Sequence, residues 1–354
     1  MLGVTLWATG RRREMRANWL VAVVWAALVM AARGQGLQGE KQSLGSDAGL
    51  RGVSVVSGQI AWVSGTGGTV GRTTDGGATW QTRVVPGAEK LDFRDVEAFG
   101  ERVAYLLAAG PGDASRIFKT TDGGATWLQQ VVNREAKGFW DAIAFWDERH
   151  GLVFGDPVDG RFQILTTEDG GANWKAVDAG GMPGALPKEG AFAASGTCLM
   201  TRGTLEAWFV TGGSGKGRVF HSVDRGRTWT VAETPVAAGN ESSGIFSIGW
   251  VKGGSGVVVG GDYRRPNESG ATVARTGDGG RTWTLAGKPP PFCSGVAWAK
   301  DRWIGVGTAG AHESMDGGET WRRLDMGNHN AVGFAEEGTG WAVGPKGSVT
   351  RYSR

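Results

Sequence analysis

"TTDGGATW" fills Thr73–Trp80 and returns unchanged at Thr120–Trp127. Four looser copies follow: "TEDGGANW" at Thr167–Trp174, "SVDRGRTW" at Ser222–Trp229, "TGDGGRTW" at Thr276–Trp283 and "SMDGGETW" at Ser314–Trp321. All six satisfy Ser/Thr-x-Asp-x-Gly-x-Thr/Asn-Trp, so the repeated positions are Asp75 and Trp80, Asp122 and Trp127, Asp169 and Trp174, Asp224 and Trp229, Asp278 and Trp283, Asp316 and Trp321. Successive tryptophans lie 47, 47, 55, 54 and 38 residues apart. A period of about 40–50 residues with strand-like spacers indicates a propeller or a solenoid.

The chemistry of the string explains its repetition. An Asp side chain accepts hydrogen bonds from nearby backbone N–H groups and braces a hairpin. The Gly at the fifth position takes the positive φ that such a loop requires. The Trp is expected to bury its ring under the turn, between sheets. Each unit then reads as four strands. A short apolar strand comes first, as at Val96–Phe99, Ile143–Trp146 and Val296–Trp298, and a Gly-ended strand such as "AWVSG", "GLVFGD", "GVVVGGD" or "GWAVG" follows. The third runs into the Asp turn and the fourth begins at its Trp. A calcium loop is excluded, because further carboxylates at ligand spacing are missing.

Six copies do not mean six units. After Trp321 the chain supplies a first strand (Asn330–Phe334), a second (Gly340–Gly344) and a third (Ser348–Tyr352), then stops where the turn belongs. The segment Gln38–Leu44 is available to supply the missing outer strand, which would remove an exposed edge. The expectation is an all-β, seven-bladed β-propeller of four-stranded antiparallel blades over residues 35–354, the last blade closed by an N-terminal strand. Six or eight blades are the alternatives.

Composition agrees: 63 Gly for turns and 17 Trp for packing among 354 residues exclude a disordered chain. The net charge of +3 is small and its Lys and Arg are scattered, so no basic stripe for nucleic acid is present. Four arginines (Arg11, Arg12, Arg13, Arg16) precede the uncharged apolar run Trp19–Ala32, which reads as an export signal ending near residue 34. The run is shorter than the roughly 20 residues that span a bilayer, and no transmembrane segment is expected after cleavage. Met15 is an alternative start. Cys198 and Cys293 fall in non-adjacent repeats and are expected to be buried free thiols. The four His are dispersed, so no metal site and no cofactor is expected. "GGSGKG" at Gly212–Gly217 lacks the Ser/Thr of a phosphate loop and reads as a hairpin loop.

The six copies resemble Asp-box (BNR) repeats, and the Gly-rich second strand beside "TTDGGATW" is most similar to the photosystem II assembly-factor-like group, with the sialidase superfamily more distant. The assembly-factor resemblance implies a non-catalytic ring that binds a protein or peptide. The sialidase resemblance would imply an Arg triad, a Tyr nucleophile with its Glu and an acid Asp. Tyr105, Tyr263 and Tyr352 are the only tyrosines, and "FRDV" at Phe93 departs from the sialidase Phe/Tyr-Arg-Ile-Pro segment at its last two positions. No residue is nominated as catalytic.

In propellers the Asp turns lie on the face away from the usual site, so candidate residues come from the opposite face. The starts of the inner strands align a polar column, Asp95, Asp141, Ser247, Ser294 and Asn330, preceded by Arg94, Trp140 and His329. Loops after the second strands add Asp156 and Arg161, then Asp262, Tyr263 and Arg264. These residues are expected to form a funnel of carboxylates, guanidiniums and aromatic walls. Three uses stay open: a water-filled channel, a ligand or peptide site, and a hydrolytic carboxylate pair. The leading expectation is an exported propeller binding a protein or peptide of the cell envelope, as an assembly or stability factor. The alternative is an exported glycoside hydrolase or glycan-binding protein.

Overall fold

The structure is a computed structural model describing residues 36–354 other than Lys252. The expected signal segment lies outside the described residues. Gly39–Ser353 forms one compact unit.

Its strands make seven four-stranded antiparallel sheets, the expected seven-bladed propeller. From inner to outer strand, blade 1 holds Leu50–Val55, Ala61–Gly65, Thr69–Thr73 and Gln81–Val84; blade 2 holds Phe93–Ala98, Ala104–Ala108, Arg116–Thr120 and Leu128–Val132. Blade 3 holds Trp140–Phe145, Gly151–Val158, Arg161–Thr167 and Lys175–Ala176; blade 4 holds Leu199–Arg202, Glu206–Val210, Gly217–Ser222 and Thr230–Thr234. Blade 5 holds Ser243–Trp250, Gly256–Asp262, Val273–Thr276 and Thr284–Leu285; blade 6 holds Gly295–Trp298, Trp303–Gly307, Gly310–Ser314 and Arg322–Arg323. Blade 7 holds Ala331–Phe334, Gly340–Val343 and Ser348–Ser353, and its outer strand is Gln38–Ser43 from the other end of the chain.

The second strands of blades 1, 2, 6 and 7 are buried along their whole length, because neighbouring blades cover both of their faces. That is why they read as unbroken apolar runs rather than as an alternation. The core is accordingly a set of clusters between blades. One joins blades 1 and 2 around Trp62, Phe93 and Leu106, and another joins blades 7 and 1 around Trp341, Leu50 and Val63.

The Asp turns brace as expected. In blade 1 the Thr79 N–H and hydroxyl donate to the two carboxylate oxygens of Asp75 at 2.9 and 2.6 Å. The Thr73 hydroxyl donates to Asp75 at 2.8 Å and accepts the Gly77 N–H at 2.8 Å. The pattern recurs around Asp122, Asp169, Asp224, Asp278 and Asp316. Two of the details differ from expectation. The fourth position as well as the fifth is left-handed, with Gly76 at φ +73 and Gly77 at φ +85; where the fourth copy has Arg225, it sits there at φ +61. Of the six turn tryptophans, Trp229, Trp283 and Trp321 are buried, whereas Trp80, Trp127 and Trp174 stay half-buried. The fully covered indoles are those of four second strands and of Trp140 on the inner strand of blade 3, and Trp127 packs edge-on against one of them, Trp62 of blade 1, with centroids 6.2 Å apart.

The closing strand replaces a turn with a side chain. Gln42 Oε1 accepts the indole N–H of Trp341 in blade 7 at 3.0 Å and that of Trp80 in blade 1 at 3.3 Å. One amide thus ties the last blade to the first. Cys198 and Cys293 are buried and unbridged, and "GGSGKG" is the loop between the second and third strands of blade 4.

Candidate functional site

Four inner strands carry a β-bulge at their start, between Leu50 and Gly52, Phe93 and Asp95, Trp140 and Ala142, and Ile245 and Ser247. A bulge inserts one residue and re-aims it. The inserted residues are Arg51, Arg94, Asp141 and Phe246. This corrects the single polar column read from sequence. Asp95 pairs with Leu107 and Ser247 with Val259, so these two share a register position, whereas Asp141 belongs one place earlier, with Arg94.

Asp95 and Ser247 do the same job in their shared position. Asp95 accepts the Ile143 N–H of blade 3 at 2.9 Å, and Ser247 accepts the Val296 N–H of blade 6 at 3.0 Å. Ser294 donates to the Asn330 carbonyl at 2.7 Å, and the Asn330 side chain donates to the Leu50 carbonyl at 2.8 Å. These polar side chains tie blades 2, 5, 6 and 7 each to the blade that follows. Trp140 and His329 are buried one position further back. His329 sits against Asp325 at 3.1 Å and beside Tyr352, so it is part of the blade 6–blade 7 packing and not of the channel mouth.

The channel is not open. The connection from blade 3 to blade 4 runs across it through Ala191–Thr197. The Ala191 N–H donates to Asp156 of blade 3 at 2.8 Å, and the Ala193 carbonyl accepts from Arg94 of blade 2 at 3.2 Å. The Ser195 hydroxyl donates to the Ser294 carbonyl of blade 6 at 2.8 Å, and the Thr197 hydroxyl meets Ser247 of blade 5 at 2.6 Å. Seven residues that touch the inner parts of four blades must cross the axis. Gly196, at φ +75, lies against Asp95 so closely that a Cβ there would fall 2.1 Å from the carboxylate. Upstream, Glu189 is locked by a buried ion pair with Arg218 and by the Thr211 hydroxyl at 2.6 Å.

Above this plug the mouth has two unlike halves. On the side of blades 1–3, Arg94 pairs with Asp92 at 2.8 Å and Arg51 approaches the same carboxylate at 3.9 Å; their side chains stay 30% and 34% exposed. A cleft of about 360 Å³ follows, lined by Lys137, Asp156, Pro157, Lys188 and Phe192 among others. On the side of blades 5 and 6, Phe192 stacks on Phe246 with centroids 3.8 Å apart, Phe292 meets Phe246 edge-on, and Tyr263 stands beside them 46% exposed. Arg264 lies over the Tyr263 ring.

Electrostatics separates the carboxylates further. Burial raises Asp95 to about 7 against hydrogen bonds from the Ile143 and Val96 N–H groups. Burial and then the Asp95 charge push Glu97 well above the ordinary range. Asp141 is raised by burial and then by Asp156, with Arg94 opposing, and Asp156 is raised by burial. The Cys198 thiol is pushed up by burial and then by Asp141 and Asp95. Asp262 behaves oppositely: burial pushes it up, but hydrogen bonds from Ser242, the Arg264 N–H, Asn240 and Arg265 outweigh this and hold it at about 2. It braces its own loop.

The expected site residues therefore divide. Arg94, Asp156, Tyr263 and Arg264 reach the mouth; Asp95 and Asp141 lie beneath the plug; Trp140, His329 and Asn330 serve blade packing. Arg161 is exposed at the rim, donating to the Met182 carbonyl at 3.1 Å. Sequence reading missed Arg51, Asp92, Glu97 and the plug. Aligning "LRGV" at Leu50 with "FRDV" at Phe93 would have found Arg51; nothing local marks "AASGT" as a channel filling.

No protein-family model matches the chain, and no curated protein matches it in sequence. Solved structures do. YCF48 bound to D1 peptide superposes with a TM-score of 0.65 at 21% identity over 89% of this chain and 97% of that one. YCF48 from Cyanidioschyzon merolae gives 0.57 at 18% identity, covering 89% and 98% of the two chains. Streptogramin B lyase gives 0.61 at 12% identity, covering 90% and 97%. At these identities the shared property is the propeller fold.

Proposed function

We propose that this chain is an exported, non-catalytic β-propeller that binds a peptide segment of a cell-envelope protein on its loop face, as an assembly or stability factor. One observation carries the reading. The mouth offers half-exposed guanidiniums, an open cleft and an exposed aromatic rim, while its carboxyls are buried under the plug, paired with arginine or committed to loop bracing. Arg and aromatic anchors beside a cleft suit recognition, whereas hydrolysis needs an accessible acid and base on opposite sides of a bond. The likeness to YCF48 in its D1 peptide complex supports a peptide as the ligand class. It also agrees with the assembly-factor-like group that the repeated turn resembles. The arginines before the apolar run Trp19–Ala32 support export. Streptogramin B lyase shows that this architecture also accommodates enzymes, so the argument rests on the site and not on the fold.

The test is crosslinking co-purification from an envelope fraction, comparing wild type with Tyr263→Ala/Arg264→Ala and with Arg51→Ala. A captured protein partner that either variant loses supports the reading. Capture unaffected by both variants, or turnover of fluorogenic glycosides by the wild type, overturns it.

A further inference from the structure

The plug has the composition of a segment made to leave. Between Phe192 and Cys198 it is Ala-Ala-Ser-Gly-Thr, so its one large apolar side chain is Phe192, stacked on Phe246 at the rim. Its polar ties are few and single: the Ser195 and Thr197 hydroxyls, the Ala193 carbonyl on the Arg94 guanidinium, the Ala191 N–H on the Asp156 carboxyl, and the Thr197 carbonyl on the Ile248 N–H. Its two ends are fixed. The buried Glu189–Arg218 pair and the Gly190–Gly212 bridge hold one side, and the inner strand Leu199–Arg202 holds the other. A strap with fixed ends and a weakly held middle can open without unfolding a blade.

What surrounds the strap is acidic. Blade 2 contributes Asp92, Asp95 and Glu97 with one cation, Arg94; blade 3 contributes Asp141 and Asp156; blade 1 contributes Arg51; the strap leads into the Cys198 thiol. Blades 5 and 6 present only the neutral Ser247 and Ser294 to it. Two guanidiniums thus face five carboxyls, and both guanidiniums lean on the same one, Asp92. Asp95 packs directly on the Gly196 backbone, and one oxygen of the Asp141 carboxyl is buried with no partner. With the strap in place Asp95 and Asp141 are shut off from water; with the strap out water reaches them. Ionisation is therefore costly only in the closed form.

We propose that Ala191–Thr197 is a proton-latched plug, held across the channel while Asp95 and Glu97 retain a proton and released when that proton is lost. Release frees Arg94 and the face of Phe246 that Phe192 covers. Where the loop face binds a peptide, the latch regulates that site; this last step alone rests on the proposed binding role.

The direction follows from linkage: a carboxyl that binds its proton more tightly in the closed form shifts the balance toward the open form as pH rises. The test is hydrogen exchange of the full chain, read on a peptide covering 190–198 at about pH 5.5 and about pH 8, corrected for intrinsic exchange rates. The wild type should lose protection there by about ten-fold or more between the two, the scale set by one proton per closure, while the Asp turn 314–321 keeps its own. Asp95→Asn/Glu97→Gln should stay protected at both; if that pair fails to fold, Asp95→Asn alone carries the comparison. Gly196→Ala puts a methyl where the Asp95 carboxyl sits and should open the plug even at the lower pH. Unchanged protection in wild type, equal loss in the carboxyl variants, or full protection in Gly196→Ala overturns the proposal. No partner is needed, so the latch can fail while peptide binding stands, and the reverse.

Discussion

A single hydroxyl in each Asp turn does more than the carboxylate beside it suggests. Thr167 donates to Asp169 at 2.9 Å and accepts the buried Gly171 N–H at 2.8 Å. Removing it orphans a backbone donor that water cannot reach. Thr167→Val should therefore cost about 1–3 kcal/mol, the usual penalty for an unsatisfied buried group, measured by chemical denaturation. Thr167→Ser, which keeps the oxygen, should lose far less. The substitution is informative because the Asp is exposed and easily noticed, whereas the Thr is 3% exposed and carries the turn from inside. The pattern showed that Ser/Thr recurs at the first position. That its oxygen accepts the fifth residue's N–H required the folded loop.

The outer strand of blade 7 shows how an element can depend on one side chain. Gln42 satisfies two indoles, and Trp341 is completely buried. Gln42→Leu keeps the strand's length and apolar stem but removes the acceptor, so at least one indole N–H loses its partner in a dry place. The expected cost is about 2 kcal/mol, read as a lowered urea midpoint with an unchanged slope. Gln42→Glu, which keeps an acceptor, should recover part of it. The absence of a turn after Ser348–Ser353 pointed to a strand borrowed from Gln38–Leu44, and the borrowing is as expected. The bulges were not legible, because an inserted residue leaves a strand's apolar character intact while shifting every later side chain by one place. That shift is why Asp95 and Asp141 looked equivalent and are not.

Across the whole molecule two sets of carboxyls act in opposite directions. In the Asp turns the Thr79 hydroxyl, its N–H and the Thr73 hydroxyl hold Asp75 down to about 2, and Asn173 chiefly does the same for Asp169. Folded values below the unfolded one mean stability that is present above about pH 4 and lost as pH falls toward about 2. Asp95 is raised to about 7 by burial. A folded value above the unfolded one means stability that is complete below about pH 4 and lost as pH rises through about 7. The melting temperature should therefore peak at mildly acidic pH. Asp169→Asn should flatten the acid limb and Asp95→Asn the alkaline one. A wild-type melting temperature that keeps rising between about pH 5 and about pH 8 would contradict this assignment.

Blade number, strand order, ring closure and the role of the Asp turns were all readable in the chain, because each depends on a pattern that repeats locally: a turn needing Gly, a brace needing Asp, a doubly covered strand needing unbroken apolar residues. The mouth was readable only in part. Arg94 stands where its strand start put it, and Asp156, Tyr263 and Arg264 where loop position put them. The plug, the pairing of Arg51 with Arg94 through Asp92, and the burial of Asp95 and Asp141 were not readable. They arise where segments far apart in the chain meet on one axis, and no local period records which connection crosses it. Whether a carboxyl is a solvated anchor or a buried acid depends on what covers it, and here the cover comes from another blade.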